Sequence, residues 1–132
     1  MKTHLKQIML ALTLVFTFAS CSSDDDDKGG NNSRAVKYEV TGNFSGQMDA
    51  VYMESGDAGQ SVDITKLPWT KEFTAAAGTT GAAVQVSGHG GVVDQTLTVK
   101  IYIGGKVEKE TTAIAKSDGT IVAIPGTYIF PL

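Results

Sequence analysis

Between residues 96 and 107 the side chains change character one residue at a time. Leu97, Val99, Ile101 and Ile103 are apolar, Thr96, Thr98, Lys100 and Tyr102 alternate with them, and Gly104-Gly105 separates the run from Lys106-Val107. A period of two sorts residues onto the two faces of a strand, whereas a helix would sort them with a period of 3.6. Two glycines between such runs supply the positive φ that both central positions of a type I′ turn need, so the segment reads as a β-hairpin. Val36, Tyr38 and Val40 alternate in the same way with Lys37, Glu39 and Thr41. Further strand candidates are 47–54, 62–65, 69–74, 82–87, 106–111 and 120–124. They are divided by Gly42-Asn43, by the glycine-bearing stretches 56–59, 78–81 and 88–91, and by Ser117-Asp118-Gly119, which suggests a second tight turn; Pro125 stops the last strand. Short strands at regular spacing with such punctuation imply an all-β sandwich or barrel. Two segments resist simple alternation: 47–54 has apolar residues on both faces, and Lys71 shares a face with Trp69 and Phe73, which a bulge near Trp69 would resolve.

A chain of 132 residues accommodates one domain of this kind and little else. Its single cysteine excludes an internal disulfide and a cysteine-based zinc cluster, so the domain must be held by packing. Removing residues 1–20 takes Lys2 and Lys6 from the 11 Lys and Arg and no acidic residue, leaving 9 against 14 Asp and Glu, a net charge of −5. That balance excludes nucleic acid as a partner.

The lone cysteine is explained by what precedes it. A positive start, with Lys2 and Lys6, leads into an apolar run over 8–18, the layout of a secretory signal peptide. An apolar run of about eleven residues is roughly half of what a helix needs to cross a bilayer core. Phe18-Ala19-Ser20-Cys21 places small residues before the cysteine and resembles a bacterial lipobox, with Phe18 where leucine is usual. The resemblance implies cleavage before Cys21, lipid attachment to its sulfur and retention at a membrane; two or three acyl chains at about 0.8 kcal/mol per buried methylene make such attachment stable. Ser22, Ser23, Asp24, Asp25, Asp26 and Asp27 follow directly. An acidic patch at this position is similar to the signal that sends lipoproteins of the Bacteroidetes to the outer face of the outer membrane. It also reads as a solvated linker, because like charges repel, and it lacks the spaced ligands and glycine of a calcium loop. The expected organisation is a signal peptide over 1–20, a lipidated acidic disordered tether over 21–35 and a β-sandwich over 36–130.

Three segments, 36–42, 67–75 and 99–107, taken in order and spacing, resemble the periplasmic domain of the MmpS family of small mycobacterial membrane proteins. The resemblance implies an immunoglobulin-like β-sandwich of about seven strands and a role as accessory to RND-type envelope exporters of lipids and siderophores. It implies no catalytic residue and no cofactor. This chain departs from the family's pattern in having a lipobox in place of an N-terminal transmembrane helix, and in lacking cysteines within the domain. A domain on the cell exterior could not meet the periplasmic part of a pump, so a surface module that binds an envelope protein or a glycan stands as the first reading, and the transport accessory as the alternative.

Catalytic equipment is hard to assemble from these residues. His89 sits in Gly88-His89-Gly90-Gly91, read as a flexible turn, with no second histidine in the mature chain to share a ligand role. The glycine-rich stretches lack the ending of a phosphate loop, and no Gly-x-Ser-x-Gly elbow is present. Asp49, Glu54, Asp57, Asp63, Glu72, Asp94, Glu108 and Glu110 are scattered over different candidate strands and loops, where a carboxylate pair would have to be assembled by the fold. A small hydrolase would then show a concave pocket with converging acidic groups. Trp69 is read as a core residue on a central strand, and Tyr102, on the polar face of its strand, as a partly exposed candidate contact residue.

Overall fold

Val36, Tyr38 and Val40 point the same way from their strand and are buried, as the alternation requires. The computed structural model describes residues 32–55 and 58–132, and these form nine strands in two antiparallel sheets. One sheet has the order β4 (Trp69–Thr74), β1 (Ala35–Gly42), β6 (Thr96–Ile103), β7 (Lys106–Ile114). The other has the order β3 (Gly59–Ile64), β2 (Gln47–Met53), β5 (Gly81–His89), β8 (Ile121–Ala123), and β9 (Thr127–Ile129) pairs with the opening residues of β5. The inner faces meet in a core built around Tyr38, Val40, Val86, Leu97, Val99, Ile101, Ile103 and Ile121. Each such aliphatic side chain contributes about 1.5–3 kcal/mol by leaving water, which is how a domain without a disulfide holds together.

Tyr38 joins the sheets. Its ring lies in the core against Tyr52 and Phe73, while its Oη donates to the Met53 carbonyl at 2.6 Å and accepts from the Ala83 amide at 3.1 Å. The β2–β5 ladder ends at Tyr52 and Val84, so Met53 and Ala83 would have formed its next rung. The hydroxyl of a strand in the opposite sheet occupies that rung and satisfies both backbone groups. Burial above all holds the phenol well above its ordinary range, because the phenolate would have to sit in an apolar interior.

The Gly104-Gly105 hairpin has φ of 62° and 86°, as the type I′ reading requires. Its ladder carries a bulge: Ile101 pairs with Lys109 but Tyr102 with Val107, leaving Glu108 as the extra residue. No bulge lies near Trp69, because β1 and β4 pair in unbroken register. Lys71 does face inward, and it reaches out of the layer to Glu54 Oε2 at 3.6 Å. Trp69 is also placed differently from expectation: it faces inward against Tyr52, but from an edge strand, and stays partly exposed. The central aromatic of the core is Tyr38.

Other boundaries shift for local reasons. Nine strands replace about seven; β9 escapes a pattern search because it has three residues between Gly126 and Pro131. The Asp118-Gly119 turn is present, with Gly119 at φ 83°, yet it carries the chain from β7 in one sheet to β8 in the other. The folded unit also begins inside the stretch expected to be tether. Arg34 donates to the carbonyls of Ala75 and Ala76 and stacks its guanidinium 4.3 Å from the centroid of Phe130.

Candidate functional site

The outer face of the four-stranded sheet is polar and carries Tyr102. The Tyr102 Oη donates to Glu39 Oε1 at 2.7 Å, and the Lys37 ammonium stands 5.0 Å from the ring centroid. The hydrogen bond to the carboxylate, followed by partial burial, raises the phenol from its ordinary value. Tyr102 is half-buried, as its place in the alternation predicts, but its hydroxyl and one ring face are engaged by neighbours on β1. Four residues earlier on the same face, Thr98 and Thr112 share a hydrogen bond at 2.8 Å across β6 and β7. On this face Tyr102 is held by Glu39 and Lys37, and Thr98 by Thr112.

The opposite outer face differs. Residues of odd number on β2 and β3 point outward there, and the ladder places Asp49 beside Asp63, Val51 beside Ser61, and Gln47 beside His89 of β5. Gln47, Asp49, Asp63 and His89, with Ser61, Thr65 and the backbone around Gly46, line an open groove of about 540 Å³. Ser87 Oγ donates to Asp49 Oδ1 at 3.4 Å; Asp49 is half-buried and Asp63 exposed. Like charges at directly opposed positions destabilise a ladder, so the groove holds an electrostatic tension that a cationic group would relieve. Among the described residues no group of three or more His, Cys, Asp and Glu side chains is arranged to hold a metal ion. The groove thus has the paired carboxylates that a hydrolase would need, and the same pair can accept charge-assisted hydrogen bonds from a basic partner.

The groove sits towards the end of the sandwich opposite to where the chain enters. Arg34 and Ala35 enter beside Thr74 and Gly104, whereas Gly42, Asn43 and Gly46 mark the far end. That far end is organised by Gln95, whose Oε1 accepts from Ser45 N, Ser45 Oγ and Val92 N at 3.0, 3.1 and 3.0 Å. Val92, Val93 and Ile114 remain exposed around it, Ile114 at 60%. The segment expected to be a flexible turn is part of this construction. Gly88 and His89 belong to β5, and a Cβ at Gly91 would lie 2.2 Å from the Phe44 ring, so glycine is there to let a buried aromatic close against the backbone. His89 is exposed, as expected, but at a strand end beside the groove.

The structure therefore brings Asp49 and Asp63, which the sequence leaves on separate candidate strands, beside His89, which it leaves in a glycine-rich turn. Their adjacency follows from the pairing of β2 with both β3 and β5, and pairing partners leave no mark in the local pattern. Cys21 and the acidic run Ser22, Ser23, Asp24, Asp25, Asp26 and Asp27 lie outside the described residues, as does Asp57. Among the described residues no helix is long and apolar enough to cross a membrane. A family described as Mycobacterium membrane protein matches residues 15–124, from within the apolar stretch to the residue after β8. No curated protein matches the chain.

Proposed function

The chain belongs to the Mycobacterium membrane protein family, and on that premise we propose that it is a membrane-held accessory protein of the cell envelope that acts by contact and not by catalysis. The observation that supports this reading best is positional. The groove of Asp49, Asp63 and His89 and the exposed Val92, Val93 and Ile114 lie towards one end, while the chain enters the sandwich at the other. A domain tethered to a membrane through its N-terminal side leaves its far end accessible to neighbours. Attachment is through lipid on Cys21, and the partner is another envelope protein, of an RND-type exporter in the reading that the MmpS resemblance favours. A second reading rests on the acidic run 22–27 behind Cys21: export to the outer face of the outer membrane and contact with a surface protein or glycan.

Three experiments test these statements. Photo-crosslinking residues placed at 63 and 89 in living cells should give discrete adducts with an envelope component, and the same residues at 70 and 72, on the opposite outer face, should not. Equal labelling from both faces, or none from either, would remove the contact role. Protease added to intact cells separates the readings of location, since digestion of the domain without lysis excludes the pump accessory and full protection excludes the surface module. Cys21→Ser should move the protein out of the membrane fraction; a variant retained there after normal processing would show that lipid is not the anchor.

A further inference from the structure

Among the described residues, one sheet edge of the sandwich carries no guarding device. At the edge of the four-stranded sheet, β4 starts after Pro68 and turns the charged Lys71 towards the interior, two devices that discourage a foreign strand from pairing there. β7 carries a bulge and runs beside β8 and β9, which themselves have only three residues each. β3 has six residues, no proline, no lysine and no bulge, and among the described residues it pairs with β2 alone. Its inward side chains include Val62, which is only partly buried against the core, so the margin of the hydrophobic layer is open to solvent along this strand. Its outward side chains, Ser61 and Asp63, form the wall of the groove.

We propose that β3 receives an extended basic segment of a partner protein as an added strand, with alternate lysine or arginine side chains lying over Asp63 and Asp49. The inference rests on the contact role proposed above and specifies its site and ligand chemistry. Neighbouring strands lie about 4.8 Å apart, so a residue opposite Asp63 on the new strand sits within reach of Asp63, and a long basic side chain extends on towards Asp49. The intervening residues would face inward and cover Val62. The segment is therefore one in which basic and apolar residues alternate, with backbone hydrogen bonds supplying affinity and the outward charges supplying selectivity. A second copy of this chain is a poorer occupant. Antiparallel pairing of two β3 strands would bring two Asp49–Asp63 pairs onto one continuous face and add to their repulsion.

The test uses the full chain and a blocked hexapeptide that alternates lysine and valine, with a glutamate–valine hexapeptide as control. Hydrogen exchange of the amides in 59–64 should slow when the lysine peptide is added and not when the control is. Affinity should fall at least tenfold in the double variant Asp49→Asn, Asp63→Asn and with rising salt. Val62→Lys, which copies the inward charge of β4, should abolish binding while leaving the acidic pair in place. Unchanged exchange in β3, protection of β4 or β7 instead, equal binding of the glutamate peptide, or concentration-dependent dimers of the peptide-free chain protected at β3 would each overturn the inference. Crosslinks at 63 and 89 in cells combined with any of those results would sink strand addition and leave the broader contact role standing.

Discussion

Two six-residue strands, β3 and β4, edge the same side of the sandwich, and they are built to opposite specifications. In β4 three inward positions hold Trp69, Lys71 and Phe73, so an ammonium interrupts an otherwise aromatic row and is neutralised by Glu54 at the end of β2. β3 has Val62 and Ile64 inward, no charge among them, and a carboxylate outward that opposes another. An inward lysine weakens the packing of its own edge, and its presence in β4 makes sense as protection against strand pairing. The absence of any such device in β3 places the molecule's capacity for backbone recognition on one edge. The same contrast separates the acidic groove from the Tyr102 face, since Lys37 and Glu39 on β1 both engage Tyr102, whereas beside β3 Asp63 opposes a second carboxylate, Asp49, which accepts from Ser87.

The largest expected effect comes from separating the strands that support these edges. Tyr38 belongs to β1, the partner of β4, and its hydroxyl binds Met53 of β2, the partner of β3. Tyr38→Phe leaves the Met53 carbonyl and the Ala83 amide without their partner, at roughly 1–3 kcal/mol for each buried group left unpaired, so a loss of about 3 kcal/mol is expected by denaturant unfolding. The pH dependence has a definite sign. The folded phenol titrates above its unfolded value of 10.0, so its contribution is complete below that pH and is lost as pH rises towards the folded value. Alkaline unfolding above about pH 10 should accompany ionisation of this tyrosine, and Tyr38→Phe should abolish that component. An unchanged alkaline limb would mean that the hydroxyl does not couple the two sheets.

Exchanging the guard between edges should alter association more than stability. Both partners of the Lys71–Glu54 pair are about a third exposed, so losing it costs no more than about 1 kcal/mol. Lys71→Val leaves β4 with an uninterrupted apolar inner face at a free edge, and concentration-dependent self-association should appear in sedimentation. A variant that stays monomeric would show that Pro68 alone closes this edge. On β3, Asp63→Asn removes a like-charge opposition and should stabilise the fold by about 0.2–1 kcal/mol at low salt, less at high salt. Destabilisation there would mean that Asp63 is already compensated by a group in the groove.

How much of this contrast could be read in advance depends on whether the information was local. The strands β1, β4 and β6 and the Gly104-Gly105 turn are visible in alternation and glycine placement, because the physics that forms them acts over a few residues. Lys71 was visible as an anomaly, and its resolution through Glu54 was not, since the two residues are brought together by sheet stacking. Gly88 and Gly91 look like turn punctuation and serve a buried ring from another loop, Phe44. The groove was hidden for the same reason: Asp49, Asp63 and His89 acquire a common surface only when β2 pairs on both sides.

Tyr102 gives the smallest effect and marks the other end of the comparison. Its hydroxyl, like that of Tyr38, is hydrogen-bonded and its phenol is raised, but the first cause is the Glu39 carboxylate and not burial. A carboxylate at the protein surface is resolvated by water once the phenol is removed, whereas the part-buried Met53 carbonyl is resolvated less readily. Tyr102→Phe should therefore change stability by less than about 0.5 kcal/mol and leave the alkaline transition governed by Tyr38. If it also leaves partner crosslinking from positions 63 and 89 unaltered, recognition belongs to the β3 side of the molecule. A loss of crosslinking in Tyr102→Phe at unchanged stability would instead move the contact surface to the opposite sheet and break the assignment of function to the unguarded edge.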